Sequence, residues 1–393
     1  MKRRTLLAAS SVVALSGGSA RLFAAPAAQS RFLFVFLRGG YDAANVLVPY
    51  ASPFYYEARP NIAIARPSAD LASAVPVDAA WGLHPALREP LSGMLQRREV
   101  AFVPFSGTDD LSRSHFETQD SIELGQPTSS RRDFRSGFMS RLAGVLTGCS
   151  PIAFTDQLPI SFQGGPSIPN VSLRSVGKPG VDARQAATIE SMYRGTPWRA
   201  QVEEGFAVRD DVTRELLSEM EAASRNAVSA KGFELEARRM ARLMRERYTL
   251  GFVDVGGWDT HVSQGGATGY LAGRLEELAR GLNAFATEIG PLWRDTTVVV
   301  MSEFGRTFRE NGNRGTDHGH GSVMWVLGGA GKPAIAGEQV AVSQAALFQN
   351  RDWPVLNDYR SVLGGIFGTQ FAMKRDDLQK VFPQMAPRNL GLA

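Results

Sequence analysis

Leu250-Gly251-Phe252-Val253-Asp254-Val255 runs straight into Gly256-Gly257-Trp258-Asp259-Thr260-His261. Further on, Thr296-Thr297-Val298-Val299-Val300-Met301 runs into Ser302-Glu303-Phe304-Gly305-Arg306-Thr307, and Gly315-Thr316-Asp317-His318-Gly319-His320-Gly321 leads into Ser322-Val323-Met324-Trp325-Val326-Leu327. Short apolar runs bounded by glycine-rich turns read as strands buried in a sheet. Between the first two, Leu271, Leu275, Leu278, Leu282, Phe285 and Ile289 recur at helical spacing, with Arg274, Glu277, Arg280 and Glu288 elsewhere on the surface. Strand, helix and strand make a parallel crossover unit, so Asp259 and Glu303 are expected at the same edge of the sheet. Open α/β sheets bind ligands just beyond the carboxyl ends of their strands, which predicts a site there.

The chain has 393 residues, 44% hydrophobic and 21% charged, enough for one large α/β domain or two ordinary ones. Its amino terminus, Met1-Lys2-Arg3-Arg4-Thr5-Leu6-Leu7, sets paired arginines before a modest apolar run, and Ala24-Ala25-Pro26-Ala27-Ala28 supplies small residues for cleavage. Residues 1–27 resemble a twin-arginine export signal, which implies the twin-arginine export machinery as a partner and a periplasmic or secreted destination. No permanent membrane span is expected, because serines and glycines interrupt the apolar run from Thr5 to Ala20. Removing residues 1–27 takes the basic residues from 43 to 39, against 39 acidic, so the mature chain is formally neutral and nucleic acid is not an expected partner. Cys149 is the only cysteine, which excludes an internal disulfide.

Along the chain, Arg31-Phe32-Leu33-Phe34-Val35-Phe36-Leu37 reads as a strand buried on both faces that ends at Arg38-Gly39-Gly40-Tyr41-Asp42. Asp42 follows its strand much as Asp259 follows its own, and either caps the next segment or serves as a ligand. Val100 to Phe105 is a further short strand, whose Pro104 is expected to end it or to mark an edge. A helix is expected from about Ser114 to Leu124. Ser114 is placed either as its N-cap, with Glu117 completing a capping box, or as a hydroxyl nucleophile at a helix start that favours an anion. Residues 28–393 read as a single domain in which 127–248 form a mainly helical insertion or cap, including a helix over 210–223.

Of the five histidines, three lie in the turns quoted first, each within three residues of an aspartate. Asp259, His261, Glu303, Asp317, His318 and His320 therefore form a candidate ligand set, and mixed imidazole and carboxylate donors suit zinc, manganese or iron better than calcium or magnesium. Arg306 either grips a phosphate or sulfate bidentately or pairs with Glu303 to hold the loop.

Arg38-Gly39-Gly40-Tyr41-Asp42, Gly256 to His261, Ser302 to Thr307 and Asp317-His318 together resemble the bacterial domain of unknown function 1501 family, from Arg31 to about Gly368. That family is similar to the alkaline phosphatase and sulfatase superfamily, which implies an α/β alkaline phosphatase-like sheet with helices on both faces and one or two divalent metal ions. Carried over residue by residue, the resemblance implies Asp42 as a metal ligand from the first strand, Asp259 and His261 as ligands of one metal, and His318 or His320 as the last histidine ligand. Ser114 would be the nucleophile. Phe304 stands where the second residue of an Asp-His pair is usual, which implies a second metal that is lost or differently bound.

The function these residues suggest is that of an exported metal-dependent hydrolase of a phosphate or sulfate ester, small or polymeric. Ser114, His115 and Arg306 are its expected catalytic groups: nucleophile, acid or base, and charge stabiliser. The alternative is a non-catalytic metal-binding or structural protein of the cell envelope on the same scaffold.

Overall fold

The computed structural model describes residues 30–165, 167–173, 183–207 and 232–393. The expected export signal at 1–27 and the expected helix at 210–223 lie outside them. Ten strands are present: β1 (Arg31–Leu37), β2 (Leu47–Val48), β3 (Val75–Pro76), β4 (Gly82–Leu83), β5 (Val100–Gly107), β6 (Pro151–Ala153), β7 (Leu250–Val255), β8 (Thr296–Ser302), β9 (Ser322–Gly328) and β10 (Asn357–Asp358). Seven of them form one sheet in the order β10-β5-β9-β8-β1-β7-β6, and β2, β4 and β3 form a small antiparallel sheet. In the large sheet only β9 runs against its neighbours. The loops after β5, β7 and β8 and the loop before β9 therefore share one edge.

β7 and β8 are not neighbours, because β1 lies between them, in register with both. Its alternation decides what covers each face. Leu33, Val35 and Leu37 point into a core completed by the helices Arg88–Gln96, Phe233–Glu246 and Tyr270–Ile289. Phe32, Phe34 and Phe36 point the other way, under the helices Phe138–Val145, Tyr359–Gln370 and Arg375–Val381. Phe34 meets Phe138 edge-on at 5.4 Å and stacks on Phe252 at 5.8 Å, and burial of each such ring contributes ~1.5–3 kcal/mol. The expected α/β sheet with helices on both faces is what the chain forms.

Within 127–248, the helix Phe138–Val145 and the helix Phe233–Glu246 pack on opposite faces of this sheet, and β6 extends it beside β7. Pro104 neither ends its strand nor lies at an edge. β5 continues to Gly107 through a register shift between Pro104 and Ser106, with Phe105 at φ +53°, and the bulge accommodates a residue that has no N–H to donate. Among the described residues no helix is long and apolar enough to cross a membrane.

Candidate metal centre

Four loops build the site, and backbone pairing locks three of them together. The segments after β8 and before β9 run antiparallel, with Thr307 N–H on Asp317 O, Gly305 N–H on His320 O and Gly319 N–H on Gly305 O, each at 2.9 Å. Thr316 N–H bonds Thr260 O at 3.0 Å, which ties in the loop after β7. A Cβ on Gly319 would lie 2.4 Å from the Arg306 carbonyl carbon, so this approach requires glycine. Gly39, at φ +128°, is likewise pressed against the backbone of Asp259, where a Cβ would stand 2.7 Å from its nitrogen.

The fourth part comes from β5. After it, Ser114 caps the helix His115–Leu124 by accepting from Glu117 N–H, and Gly125 closes the helix in the left-handed conformation. Ser114 thus takes the capping role. The cap sets His115 as the first helical residue, facing the ends of β7, β8 and β9.

His115, Asp259 and His318 bring one donor atom each within 4.8 Å of one another, a possible His/Asp/His metal site. The pairs are His115 Nε2 to Asp259 Oδ2 at 3.6 Å, and His318 Nε2 to Asp259 Oδ1 at 3.6 Å. His261 Nε2 joins them, 3.0 Å from Asp259 Oδ1 and 3.1 Å from His318 Nε2. Each imidazole has its other nitrogen on an oxygen. His318 Nδ1 lies 2.9 Å from the carbonyl of Arg113, which can only accept, so the proton is assigned to Nδ1. His115 Nδ1 lies 2.8 Å from Glu303 Oε1 and His261 Nδ1 lies 3.0 Å from Asp317 Oδ1. With both Nδ1 atoms protonated, His261 and His318 turn unprotonated Nε2 atoms toward each other. Two such lone pairs at 3.1 Å repel unless a proton or a metal ion lies between them. Two nitrogens bound tetrahedrally to one zinc stand roughly 3.3–3.4 Å apart, so the donor set fits a metal ion. His115 Nε2 is buried and has no hydrogen-bond partner, as a donor reserved for an ion would be.

Behind these donors lies a ring of supporting groups. Glu303 is fully buried and accepts from Gly39 N–H, His115 Nδ1 and Gln119 Nε2 through Oε1, and from Ser302 Oγ through Oε2, each at 2.8 Å. Burial alone would raise its pKa, but the bonds from His115 and Gln119 outweigh burial and hold it below the ordinary value. The hydrogen bond to Glu303 raises the pKa of His115 in return. Burial, then the neighbouring His115, lowers that of His318. Burial also opposes ionisation of Asp259, yet the adjacent Arg306 keeps its pKa lowered, with Nη1 2.8 Å from Oδ1. Arg306 Nε bonds Thr316 Oγ1 at 3.3 Å, and its buried Nη2 has no partner. The ring of Phe304 lies against both His115 and His318, with centroids at 5.0 and 5.1 Å.

The remaining sequence candidates stand elsewhere. Asp42 forms a buried two-pronged ion pair with Arg59, at 2.6 and 2.9 Å, and also accepts from Gln264, so its oxygens are committed to holding the β1 exit loop. Asp317 supports His261 and accepts from Asn311. His320 packs on Phe348 at 5.0 Å, away from the cluster, and burial pushes its pKa down to about 4.

Three supporting residues were not foreseen. Gln119 sits one helical turn after His115, and that spacing carried the signal. Arg113 and Asp352 carried none. Asp352, fully buried, holds the Arg113 side chain at 2.7 and 2.8 Å, and Arg113 stands at φ +52° to offer its carbonyl to His318.

Three solved structures match the chain at low identity. A protein in the alkaline phosphatase superfamily from Vibrio parahaemolyticus matches at 11% identity and a TM-score of 0.36, over 78% of this chain and 62% of its own, so the chain spans less than two thirds of that protein. The lipoteichoic acid synthase LtaP from Listeria monocytogenes matches at 11% identity and 0.36, over 79% and 68%. BT1596, a 2-O GAG sulfatase, matches at 9% identity and 0.39, over 93% and 74%. No curated protein matches the chain. The family described as Protein of unknown function (DUF1501) matches residues 102–382, most of the sequence, and the chain belongs to that family.

Proposed function

We propose that the protein is an exported metal-dependent hydrolase of phosphate or sulfate esters, with a single divalent ion held by His115 Nε2, His318 Nε2 and Asp259, and His261 Nε2 as a fourth donor. The observation that carries this reading is the convergence of three imidazole Nε2 atoms on one carboxylate while every Nδ1 is tied to an oxygen. A nitrogen-rich set of this kind favours zinc, manganese or iron over calcium or magnesium.

When bound, such an ion supplies Lewis-acid polarisation of an ester oxygen. The chain's own residues supply the rest. Arg306 stands beside the donors with an unpartnered Nη2, and presents that N–H to an anionic oxygen of the ester as charge builds there. Glu303 and the Arg113 carbonyl fix the two histidine rings, so little reorganisation accompanies reaction. Water is the proposed nucleophile, since the Ser114 hydroxyl serves its helix. The paired arginines and small-residue site of residues 1–27 support export through the twin-arginine route.

The commitment of the Ser114 hydroxyl to its helix also favours a second reading, a metal-holding protein that binds an anion without cleaving it. Elemental analysis of the purified protein beside a folded Asp259→Ala variant tests the metal, and phosphate and sulfate ester panels then separate the readings. One metal per chain, lost in the variant, with turnover that falls with it, is the expected result. Metal without turnover on any ester selects the binding protein. No metal after reconstitution overturns both.

A further inference from the structure

The opposite edge of the sheet carries a second constellation that ester chemistry does not use. β9 leaves the sheet there through Gly328-Gly329-Ala330-Gly331-Lys332, with Gly328 at φ +146° and Gly331 at φ +100°. This loop, with Ser30, Thr297, Gln370 and the mutually paired Arg294 and Asp295 (2.9 Å), lines a cleft of about 690 Å³. Lys332 is only 4% exposed, and its Nζ donates to a single acceptor, Gly329 O at 3.0 Å. It forms no ion pair among the described residues. Glu99, the acid that acts on it from the start of β5, is itself held by Arg97 at 2.9 Å. Burying an ammonium without a counter-charge is costly, and such groups ordinarily occur paired.

Two more features face the same cleft. The N–H groups of Gly329, Ala330 and Gly331 have no protein acceptor among the described residues, and successive free N–H groups in a glycine-rich turn make an anion-binding concavity. Gln370, which also lines the cleft, has a buried Oε1 without a partner, although its Nε2 bonds Arg31 O at 2.7 Å. A compact lysine charge over backbone N–H groups suits a phosphate. The unpaired amide oxygen suits a hydroxyl or amine on the same ligand, and the volume suits a small metabolite.

We infer that this cleft is a binding site for a small phosphorylated molecule, whose phosphate pairs with Lys332 against the Gly329–Gly331 loop. Its occupant would supply the contact ion pair that Lys332 lacks among the described residues. The site lies across the sheet from the histidine cluster and is independent of the ester reading.

The test is calorimetric titration with inorganic phosphate, with acetate as the control anion. Asp259→Ala serves as the background, so that phosphate held at the metal centre does not contribute. Phosphate is expected to bind this background. Adding Lys332→Met, which replaces the lone ammonium by an apolar chain, should weaken binding about tenfold or more. Ala330→Glu, on the exposed tip of the loop, should weaken it as well while leaving the core untouched. No binding at millimolar phosphate in the Asp259→Ala protein overturns the inference, as does binding that survives both additional substitutions.

Discussion

Glu303→Gln separates two roles for one residue, metal ligand and support for a ligand. The carboxylate receives four donors at 2.8 Å. A glutamine in the same pose keeps its oxygen on Gly39, His115 and Gln119. Its amide nitrogen would face Ser302 Oγ, which can accept once its one proton turns from Glu303 to Leu37 O, 2.5 Å away. No buried donor is orphaned, so the fold should survive. What is lost is charge. Charge-assisted bonds are about twice as strong as neutral ones, so the hold on the His115 Nδ1 proton weakens by ~1 kcal/mol. Removing a supporting partner of this type typically lowers metal affinity 10–100-fold, or ~1.4–2.7 kcal/mol. Glu303→Ala, by contrast, strands several buried donors at ~1–3 kcal/mol each and should destabilise the metal-free protein severely. The assay is zinc titration against a chromogenic chelator, run beside urea unfolding of the metal-free proteins. If Glu303→Gln binds zinc as tightly as the parent, the supporting role is refuted. If it loses metal as completely as Asp259→Ala while folded, Glu303 is itself a ligand.

Three further expectations follow from the same geometry. Ser114→Ala should lower stability in urea by ~1 kcal/mol, the usual loss of an N-cap, and leave turnover unchanged; loss of turnover at full metal occupancy would instead mark Ser114 as the nucleophile. Asp352→Asn removes the charge that holds Arg113 in a left-handed conformation costing ~1–2 kcal/mol. The His318 Nδ1 proton, read by nitrogen NMR on metal-free protein, should then no longer be fixed, and zinc affinity should fall; if neither changes, the Arg113 carbonyl does not position His318. Burial brings Lys332 from an ordinary 10.5 down to about 8, so the unfolded chain holds that proton more tightly. Stability should therefore rise as pH climbs from about 8 to about 10.5, by at most about 3 kcal/mol, and Lys332→Met should abolish the rise. A pH profile identical in parent and variant would contradict this.

Much of the fold was legible because its strands are short apolar runs that stop at glycines. Phe32 to Leu37 and Thr296 to Met301 could hardly be anything but strands buried on both faces. Strand order was not legible, since nothing in the apolar runs tells that β1 enters between β7 and β8. At the site, the convergence of Asp259, His261 and His318 was legible because Asp-x-His and Asp-His sit in glycine-rich turns at the ends of strands that share one sheet edge. His115 was found too, but as an acid or base, since its distance from the other histidines in sequence hid its convergence with them. Asp42 could not be resolved from sequence, because its partner is Arg59, and an arginine in an irregular, proline-spaced stretch announces no buried ion pair. Glu303 was placed at the right edge. Its orientation depends on Gln119 and Gly39, which reach it from two other segments.

The central place of β1 bears on the order in which the molecule can assemble. β1 is the first strand of the chain, yet its partners begin at Leu250 and Thr296. Until Ser302 has been made, one hydrogen-bonding edge of β1 has nothing to pair with, and long-range pairing of this kind is slow and exposes unpaired edges. The histidine cluster needs still more of the chain, because His318 follows β8 and the Asp352 that steadies Arg113 follows β9. A growing chain therefore has no complete histidine cluster until nearly all of it has been synthesised. Loading of the proposed metal would be a late event that reports a finished fold.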